Sequence, residues 1–256
     1  MGEGGSFLEL AIPLPPHLPG LHRPRRLRQT PGLPVLDLRA RGSRRSLWHA
    51  EGIAQTVVVA FDYSCIVSLE LLARRIDRER AGNDQRTRIT ACLLANGGIF
   101  ADGHTHAWYT TPLLTSPLGA AITPIGQRSW RMFAPFLRPV FSRGYPLSAA
   151  EMKELHDAIS RRDGVRVLPA TAGFVDEHRE HAARWDLARI ISALGDEVAF
   201  GVVGSAEDPF EGEQLRLARE RLADSVEITE LAGGHLTTAE QPDRLAEVIA
   251  ALPERS

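Results

Sequence analysis

The sequence is poor in cysteine, lysine and tyrosine, and it has no long apolar run. Two cysteines and three tyrosines occur in 256 residues, and Lys153 is the only lysine among 30 basic residues. No apolar run approaches the length of a membrane span, and the early run Phe7–Ile12 is too short for a secretory signal. Cys65 and Cys92 lie within apolar runs, which predicts buried thiols in a reducing, cytoplasmic compartment rather than a disulfide.

The charge is nearly balanced, so strong attraction to a polyanion is not expected. The formal net charge is −2 and the isoelectric point is about 6.5. With 43% hydrophobic and 24% charged residues, the composition is that of a globular protein of enzyme size. We therefore expect a small-molecule substrate and no nucleic-acid or membrane partner. The oligomeric state is left open.

Residues 1–46 differ from the rest of the chain in composition. They hold eight arginines, three acidic residues and seven of the 17 prolines, with poor apolar periodicity. Such a segment is typical of a basic, proline-rich leader without fixed structure.

From residue 47 onward, short apolar runs alternate with helix-like segments. Strands are predicted at 55–62, 89–96, 197–204 and 225–231, and helices at 66–76, 211–223 and 239–252. This alternation predicts an α/β fold, a mostly parallel sheet with helices on both faces. Between residues 97 and 185 the pattern is helical, which indicates an insertion.

Three of the predicted strands are followed by residues that can carry catalysis. Asp62 comes at a strand-to-helix turn between the small residues Ala60 and Ser64, whereas Ser64 itself lacks small flanking residues. Asp208 and His235 follow two later strands. Each has a structural alternative, as a helix cap or a turn residue. Their order, however, is the nucleophile, acid, histidine order of one class of hydrolases.

Two segments carry a resemblance to a known family. Val57–Arg74 resembles the nucleophile segment of the α/β-hydrolase group of haloalkane dehalogenases and epoxide hydrolases, which reads H-D-W-G or H-D-Y-G. Ala95–Phe100 resembles the S-N-G-G-I-F motif of the mesoderm-specific transcript branch, to which the chain is most similar. The resemblance implies an α/β-hydrolase fold with core segments 47–100 and 188–256, a helical cap at 101–187, and no cofactor.

The resemblance also implies the chemistry. Asp62 would attack an electrophilic carbon, and His235, oriented by Asp208, would activate the water that hydrolyses the resulting ester. The backbone N–H of Tyr63 would serve the oxyanion hole. Substrate contacts are expected from three residues of the motif and the cap, namely Asn96, Tyr109 and Tyr145.

The chain departs from the family pattern at several positions. Phe61 replaces the family's histidine before the nucleophile, and Ser64-Cys65 replaces two small residues. Tyr63 replaces the tryptophan that binds halide in dehalogenases, so a small apolar epoxide is favoured over a haloalkane as substrate. A catalytically impaired or non-catalytic relative, a binding protein or a damaged gene product, is the alternative.

The family's segment before the nucleophile, with its H-G-x-P motif, is absent. Reading the degenerate codons of residues 20–46 one base later permits D-F-I-G-x-G-A-S-D-K-P, which matches that segment and runs into Leu47 in register. We therefore interpret residues 1–46 as an aberrant leader, with out-of-frame translation as the hypothesis, and the N-terminal strands as missing or corrupted.

His104 and His106 form a His-x-His pair that can suggest a metal site. No other ligand cluster is near them in the sequence. A cap loop without metal is therefore the prediction.

Overall fold

The computed structural model describes residues 51–82, 87–106, 111–126, 129–161 and 171–253, together with Trp48 and Pro169. The predicted leader at residues 1–46 lies outside the described residues, as does Tyr109.

A four-stranded parallel sheet forms the core. Its strands are β1 (Gln55–Phe61), β2 (Arg88–Ala95), β3 (Ala199–Ser205) and β4 (Glu227–Leu231), and they lie side by side in this order. Because all four strands run in one direction, their carboxyl ends meet at one edge of the sheet. The polar residues that follow the strands are therefore brought together.

Helices occupy most of the remaining described chain. They are α1 (Tyr63–Arg80), α2 (Thr111–Thr115), α3 (Pro117–Gly126), α4 (Trp130–Leu137), α5 (Ala149–Ser160), α6 (Phe174–Glu180), α7 (Leu187–Leu194), α8 (Gly212–Leu222), α9 (Thr237–Glu240) and α10 (Pro242–Ala251). A 3₁₀ turn, Arg138–Val140, follows α4. Within the described chain, no helix combines the length and the apolar character that crossing a bilayer requires.

Both faces of the sheet are covered, as the alternating pattern predicts. Alternate strand residues such as Val58 and Leu94 pack against α1, α7 and α8. The residues between them, such as Leu93 and Val203, pack against α10. Period-two alternation of side chains across a strand produces these two separate apolar clusters.

Strand β1 lies at the edge of the described sheet and is less buried than its neighbours. Thr56, Val58 and Ala60 are buried, whereas the alternate residues Val57 and Val59 are only half-buried. In β2, by contrast, every residue after Arg88 is buried.

The predicted strands and helices of the core are confirmed, with one difference at the C-terminus. The helix predicted at 239–252 is interrupted, so that α9 ends at Glu240 and α10 begins at Pro242. Proline lacks a backbone N–H and fits the first turn of a helix, which makes residue 242 a start and not an interior position.

The segment 101–187 contains α2 to α6 and no strand among its described residues. The end of this segment is held against the core by Glu70, a buried carboxylate on α1. Glu70 accepts hydrogen bonds from Arg74 Nε at 2.8 Å, Arg184 Nε at 2.8 Å and Trp185 Nε1 at 2.6 Å. Opposite charge and three donors satisfy this buried anion.

Both cysteines are buried free thiols, which confirms the prediction for Cys65 and Cys92. Burial raises the pKa of Cys92 to about 12. Neither thiol is in the reactive thiolate form at neutral pH, because burial also raises the pKa of Cys65.

Candidate active site

Asp62 occupies the turn between β1 and α1. Its φ of 52° and ψ of −127° are rarely adopted by L-residues and cost about 1–3 kcal/mol. The turn is held by hydrogen bonds from Asp62 N to Ala95 O, 3.1 Å, and from Cys65 N to Asp62 O, 3.0 Å. The Asp62 side chain remains 45% exposed. A strained strand-to-helix turn with an exposed side chain is the geometry expected of a nucleophile.

The turn is possible only because its neighbours are small. A Cβ on Gly97 would overlap with Asp62 O and with the Cys65 side chain.

The hydroxyl of Ser64 both accepts from Phe61 N and donates to Phe61 O, at 2.6 Å each. Since that hydroxyl is bound to the backbone, the structure agrees with Asp62 rather than Ser64 as the apex group.

Asp208 lies in the turn that follows β3, and its side chain is 1% exposed. Oδ1 accepts hydrogen bonds from Phe210 N at 2.9 Å and from Glu211 N at 3.0 Å. These two bonds fix the carboxylate so that Oδ2 is directed to His235.

His235 lies in the loop after β4, and backbone contacts determine its position. His235 N donates to Val140 O at 2.8 Å. A Cβ on Gly234 would meet Ser142 N at 2.6 Å, so only glycine permits this close approach. The Glu240 carboxylate joins both segments by accepting from Gly234 N at 2.9 Å and Ser142 N at 3.0 Å.

The three predicted catalytic side chains meet at the carboxyl edge of the sheet. His235 Nδ1 lies 2.9 Å from Asp208 Oδ2, and His235 Nε2 lies 3.5 Å from Asp62 Oδ1. The imidazole thus has a buried carboxylate on one nitrogen and the exposed carboxylate of the turn on the other. This arrangement can hold, orient and move one proton.

Charge coupling determines the protonation of this group. Desolvation by the surrounding protein atoms raises the pKa of the partly exposed Asp62 carboxylate, but the hydrogen bond and charge of His235 outweigh it and lower the pKa below its usual value. Burial lowers the pKa of His235, but hydrogen bonds and charges from Asp208 and Asp62 outweigh it and raise the pKa to about 10. At neutral pH the site therefore holds an imidazolium between two carboxylates.

Comparison with solved structures identifies the fold. The haloalkane dehalogenase DatA of Agrobacterium tumefaciens C58 aligns with a TM-score of 0.62 at 15% identity, over 87% of this chain and 74% of that one. The epoxide hydrolase CorEH aligns with a TM-score of 0.54 at 12% identity, over 83% and 72%. The chain has the α/β-hydrolase fold.

A serine hydrolase of Cycloclasticus zankles also aligns, with a TM-score of 0.51 at 15% identity, over 82% of this chain and 67% of that one. The solved structures that align thus carry different activities, so the fold alone does not identify a reaction. No family model and no curated protein matches the sequence. The resemblance to the mesoderm-specific transcript branch stays a prediction.

The structure shows which groups the predicted substrate-binding residue Asn96 contacts. Its side chain is buried and donates to Asp208 Oδ2 at 3.1 Å, Ser205 Oγ at 3.1 Å and Gly234 O at 3.2 Å. An amide with these partners supports the Asp208 carboxylate and joins the loops after β3 and β4. A contact between Asn96 and a substrate stays a prediction.

The two described tyrosines of the predicted site, Tyr63 and Tyr145, lie in different surroundings. Tyr63 begins α1, and its backbone amide lies against the Asp62 carboxylate and helps to lower its pKa. Tyr145 stacks on Phe141 with ring centroids 5.1 Å apart, and its hydroxyl donates to Glu151 at 3.2 Å. The described contacts of Tyr145 are therefore packing contacts, and a substrate contact stays a prediction.

Aromatic rings surround the triad of this α/β-hydrolase fold. Phe61 and Phe210 each lie 5.3 Å from the His235 ring. His106 stacks on Phe210 at 5.5 Å, and its pKa is lowered to about 4 mainly by burial. Phe174 contacts Tyr63 edge to face at 5.6 Å. Apolar walls of this kind exclude water and strengthen the charges inside them.

Among these aromatic residues, Phe61, Tyr63 and His106 stand out in the sequence for other reasons, whereas Phe174 and Phe210 do not. Phe210 follows the Asp208-Pro209 turn, and that proximity was the one available signal. Phe174 and His106 belong to the helical segment, and the local sequence pattern does not predict how that segment packs on the core.

Proposed function

We propose that the chain is a hydrolase that uses Asp62 as a covalent nucleophile on a small apolar epoxide. The observation that carries the proposal is the position of this carboxylate at the strained turn, 3.5 Å from His235 Nε2, with Asp208 2.9 Å from His235 Nδ1. Neighbouring solved structures include an epoxide hydrolase and a haloalkane dehalogenase, which supports this class of reaction.

A carboxylate at the apex selects an alkyl carbon as the target. Attack on an alkyl carbon gives an ester, which water can hydrolyse, whereas attack on an acyl group would give an anhydride. The lowered pKa of Asp62 keeps this nucleophile ionised at neutral pH without a general base. His235 is therefore not needed as a base in the first step.

In the first step an Asp62 carboxylate oxygen forms a bond to an epoxide carbon, and the carbon–oxygen bond of the ring breaks. The leaving alkoxide needs a proton, and the His235 imidazolium beside Asp62 can supply it. The products of this step are a hydroxyalkyl ester on Asp62 and a neutral imidazole.

In the second step neutral His235 removes a proton from water, and the resulting hydroxide attacks the carbonyl carbon of the ester. The bond between the acyl carbon and the alkoxy oxygen breaks, the departing alkoxide takes the proton of the new carboxyl group, and the diol, the Asp62 carboxylate and the imidazolium result. Esterification makes this step feasible because the ester removes one of the two negative charges that raise the pKa of His235. The backbone amide of Tyr63 can stabilise the developing oxyanion.

The proton balance favours an epoxide over a haloalkane. Epoxide opening consumes the proton that His235 already holds, and the cycle returns it. A departing halide accepts no such proton, so the imidazolium would have to lose it to solvent before the second step.

The test is to stop the reaction at the ester. His235→Gln removes the base of the second step. It also removes the proton donor of the first step, so water must protonate the alkoxide, and a covalent adduct on the peptide that contains Asp62 should accumulate slowly during incubation with a panel of aryl and alkyl epoxides. Intact-protein and peptide mass spectrometry would detect the adduct. The matched control is the double variant Asp62→Asn, His235→Gln, which should form none.

Labelled water gives an independent check on the unmodified chain. One turnover in H₂¹⁸O should leave the label in the Asp62 carboxylate and yield an unlabelled diol. A labelled diol in the first turnover would mean direct attack by water and would overturn the covalent route. If the unmodified chain and the His235→Gln variant, both folded by circular dichroism, bind epoxides and yield neither diol nor adduct, the non-catalytic alternative is favoured.

A further inference from the structure

A second cluster of polar side chains lies beside the triad. His104 Nδ1 is 3.0 Å from Glu211 Oε1, and His106 Nε2 is 4.0 Å from the same oxygen. One atom from each of the three residues lies within 4.8 Å of the others. The local sequence predicts no metal at His104 and His106, because Glu211 is more than 100 residues away in the chain and is not recognisable there as a third ligand.

We propose that His104, His106 and Glu211 bind one zinc ion. Two imidazole nitrogens and one carboxylate are a donor set that zinc prefers and that magnesium and calcium do not. Atoms bound to one zinc at about 2.0–2.1 Å lie about 3.3 Å apart. The observed separations require only small side-chain movements to reach this value.

The charge of Glu211 supports a cation at this place. The side chain is 2% exposed, and in the described part of the molecule its ion-pair partners are the two histidines. Its Oε2 atom is buried and has no hydrogen-bond partner among the described residues. A buried carboxylate without a strong cationic partner is costly, and a divalent ion would provide one.

The cluster is also held in place by its surroundings. A Cβ on Gly98 would overlap with the His104 ring, so glycine is what admits that ring. His104 Nε2 lies 2.8 Å from His178 Nδ1, and such a partner fixes the ring and tautomer of a metal-binding histidine. Thr105 N donates to Phe210 O at 3.0 Å, which ties the histidine loop to the Glu211 loop.

Zinc at this position would act on the loop that carries the catalytic acid. Glu211 N and Phe210 N are the two donors to Asp208 Oδ1, and the Phe210 ring lies between His106 and His235. We therefore assign the ion a bracing role for residues 208–211. The proposal is independent of the reaction proposed above, since its readout is metal binding and stability.

Equilibrium dialysis of the full chain against Zn²⁺, after treatment with EDTA, tests the proposal. One zinc per chain with a Kd of about 1 μM or tighter is expected, and Mg²⁺ at the same concentration should not compete. Zinc should also raise the thermal unfolding midpoint in proportion to log [Zn²⁺] beyond the Kd.

Variants locate the ion. Glu211→Gln and His106→Ala should each weaken zinc binding by at least 100-fold, and His178→Ala by about 10–100-fold. His181→Gln, a partly exposed histidine outside the cluster, is the matched control and should bind normally. His235→Ala should also bind normally, which excludes the triad as the metal site.

X-ray absorption of the unmodified chain with zinc keeps the test valid if a variant fails to fold. Two imidazoles and oxygen ligands in the first shell are expected. A shell with one imidazole would place zinc on His235 and its two aspartates, and it would overturn the proposal. Absence of stoichiometric binding at 10 μM Zn²⁺, or binding that survives loss of both Glu211 and His106, would also overturn it.

Discussion

At the scale of single residues, backbone conformation separates Asp62, the proposed nucleophile, from an ordinary helix cap. Asp186 precedes α7 in extended conformation, and its side chain accepts from Ala188 N and Arg189 N as a normal cap does. Asp62 precedes α1 with positive φ and makes no such capping bond. The capping alternative considered for Asp62 is thus not the observed one, because its carboxylate faces His235 instead.

The raised pKa of His235 predicts how stability changes with pH. An unfolded histidine titrates near pH 6.5, and folded His235 titrates near pH 10. Its contribution to the free energy of unfolding is therefore full below pH 6.5 and is lost as the pH rises toward 10. The loss is at most about 1.4 kcal/mol per pH unit. Urea denaturation at pH 6.5, 8 and 9.5 measures it.

His235→Gln is the control for this pH effect, because it removes the titrating group and keeps a side chain that can hydrogen-bond. The unmodified chain should lose more stability than this variant over the same interval. Parallel pH profiles for the two proteins would show that His235 is not stabilised as an imidazolium.

At the scale of elements, short loops after the parallel strands hold the side chains of the candidate site in place. Gln214 on α8 holds the loop after β2 through Phe100, accepting from its N–H at 2.8 Å and donating to its carbonyl at 3.0 Å. Glu240 on α9 holds the loop after β4 in the same manner, through the backbone of Gly234. Loops fixed to helices in this way present side chains with the precision that catalysis needs.

The contact between the turn at Asp62 and the loop after β2 gives an element-scale prediction. Gly97→Ala places a Cβ against Asp62 O and the Cys65 side chain, so the turn must shift. We expect a loss of about 1–3 kcal/mol in the free energy of unfolding. Displacement of the carboxylate by about 1 Å should also slow adduct formation about 100-fold. Urea denaturation and the rate of adduct formation by mass spectrometry measure the two effects.

Gly144→Ala is the matched control, because a Cβ there meets no atom within 4 Å. It should change stability by less than about 0.5 kcal/mol and leave the rate unchanged. Equal behaviour of the two variants would show that Gly97 does not support the turn.

At the scale of the whole molecule, the described sheet is well protected in its middle and ends on an edge strand at each side. β2 and β3 each pair on both edges, whereas among the described strands β1 pairs only with β2 and β4 only with β3. In a parallel strand, alternate amides point to opposite edges. We expect amides of β2 and β3 to exchange hydrogen only by global unfolding, and about half of those in β1 to exchange much faster.

Hydrogen exchange followed by mass spectrometry of peptic peptides would check this expectation. Peptides from β3 serve as the internal reference for global unfolding. Protection of the β1 peptide equal to that of β3 would mean that another segment covers the outer edge of β1.

The local sequence pattern was sufficient for the elements and for the proximity of three side chains whose catalytic roles stay predictions. Apolar runs such as 55–62 and 89–96 identified strands, and parallel order made Asp62, Asp208 and His235 neighbours because each follows a strand at the same edge. These inferences needed only periodicity and the direction of the chain, which are properties of short segments.

Tertiary packing alone decided which side chains distant in the sequence contact one another in the candidate sites. Asn96 was expected to contact substrate, but its amide reaches Asp208, 112 residues away, because β2 and β3 are adjacent. Glu211 joins His104 across 107 residues. Such partners depend on strand register and on the rotamers that neighbours permit. No local pattern encodes these, since burial and side-chain direction are set by groups distant in the chain.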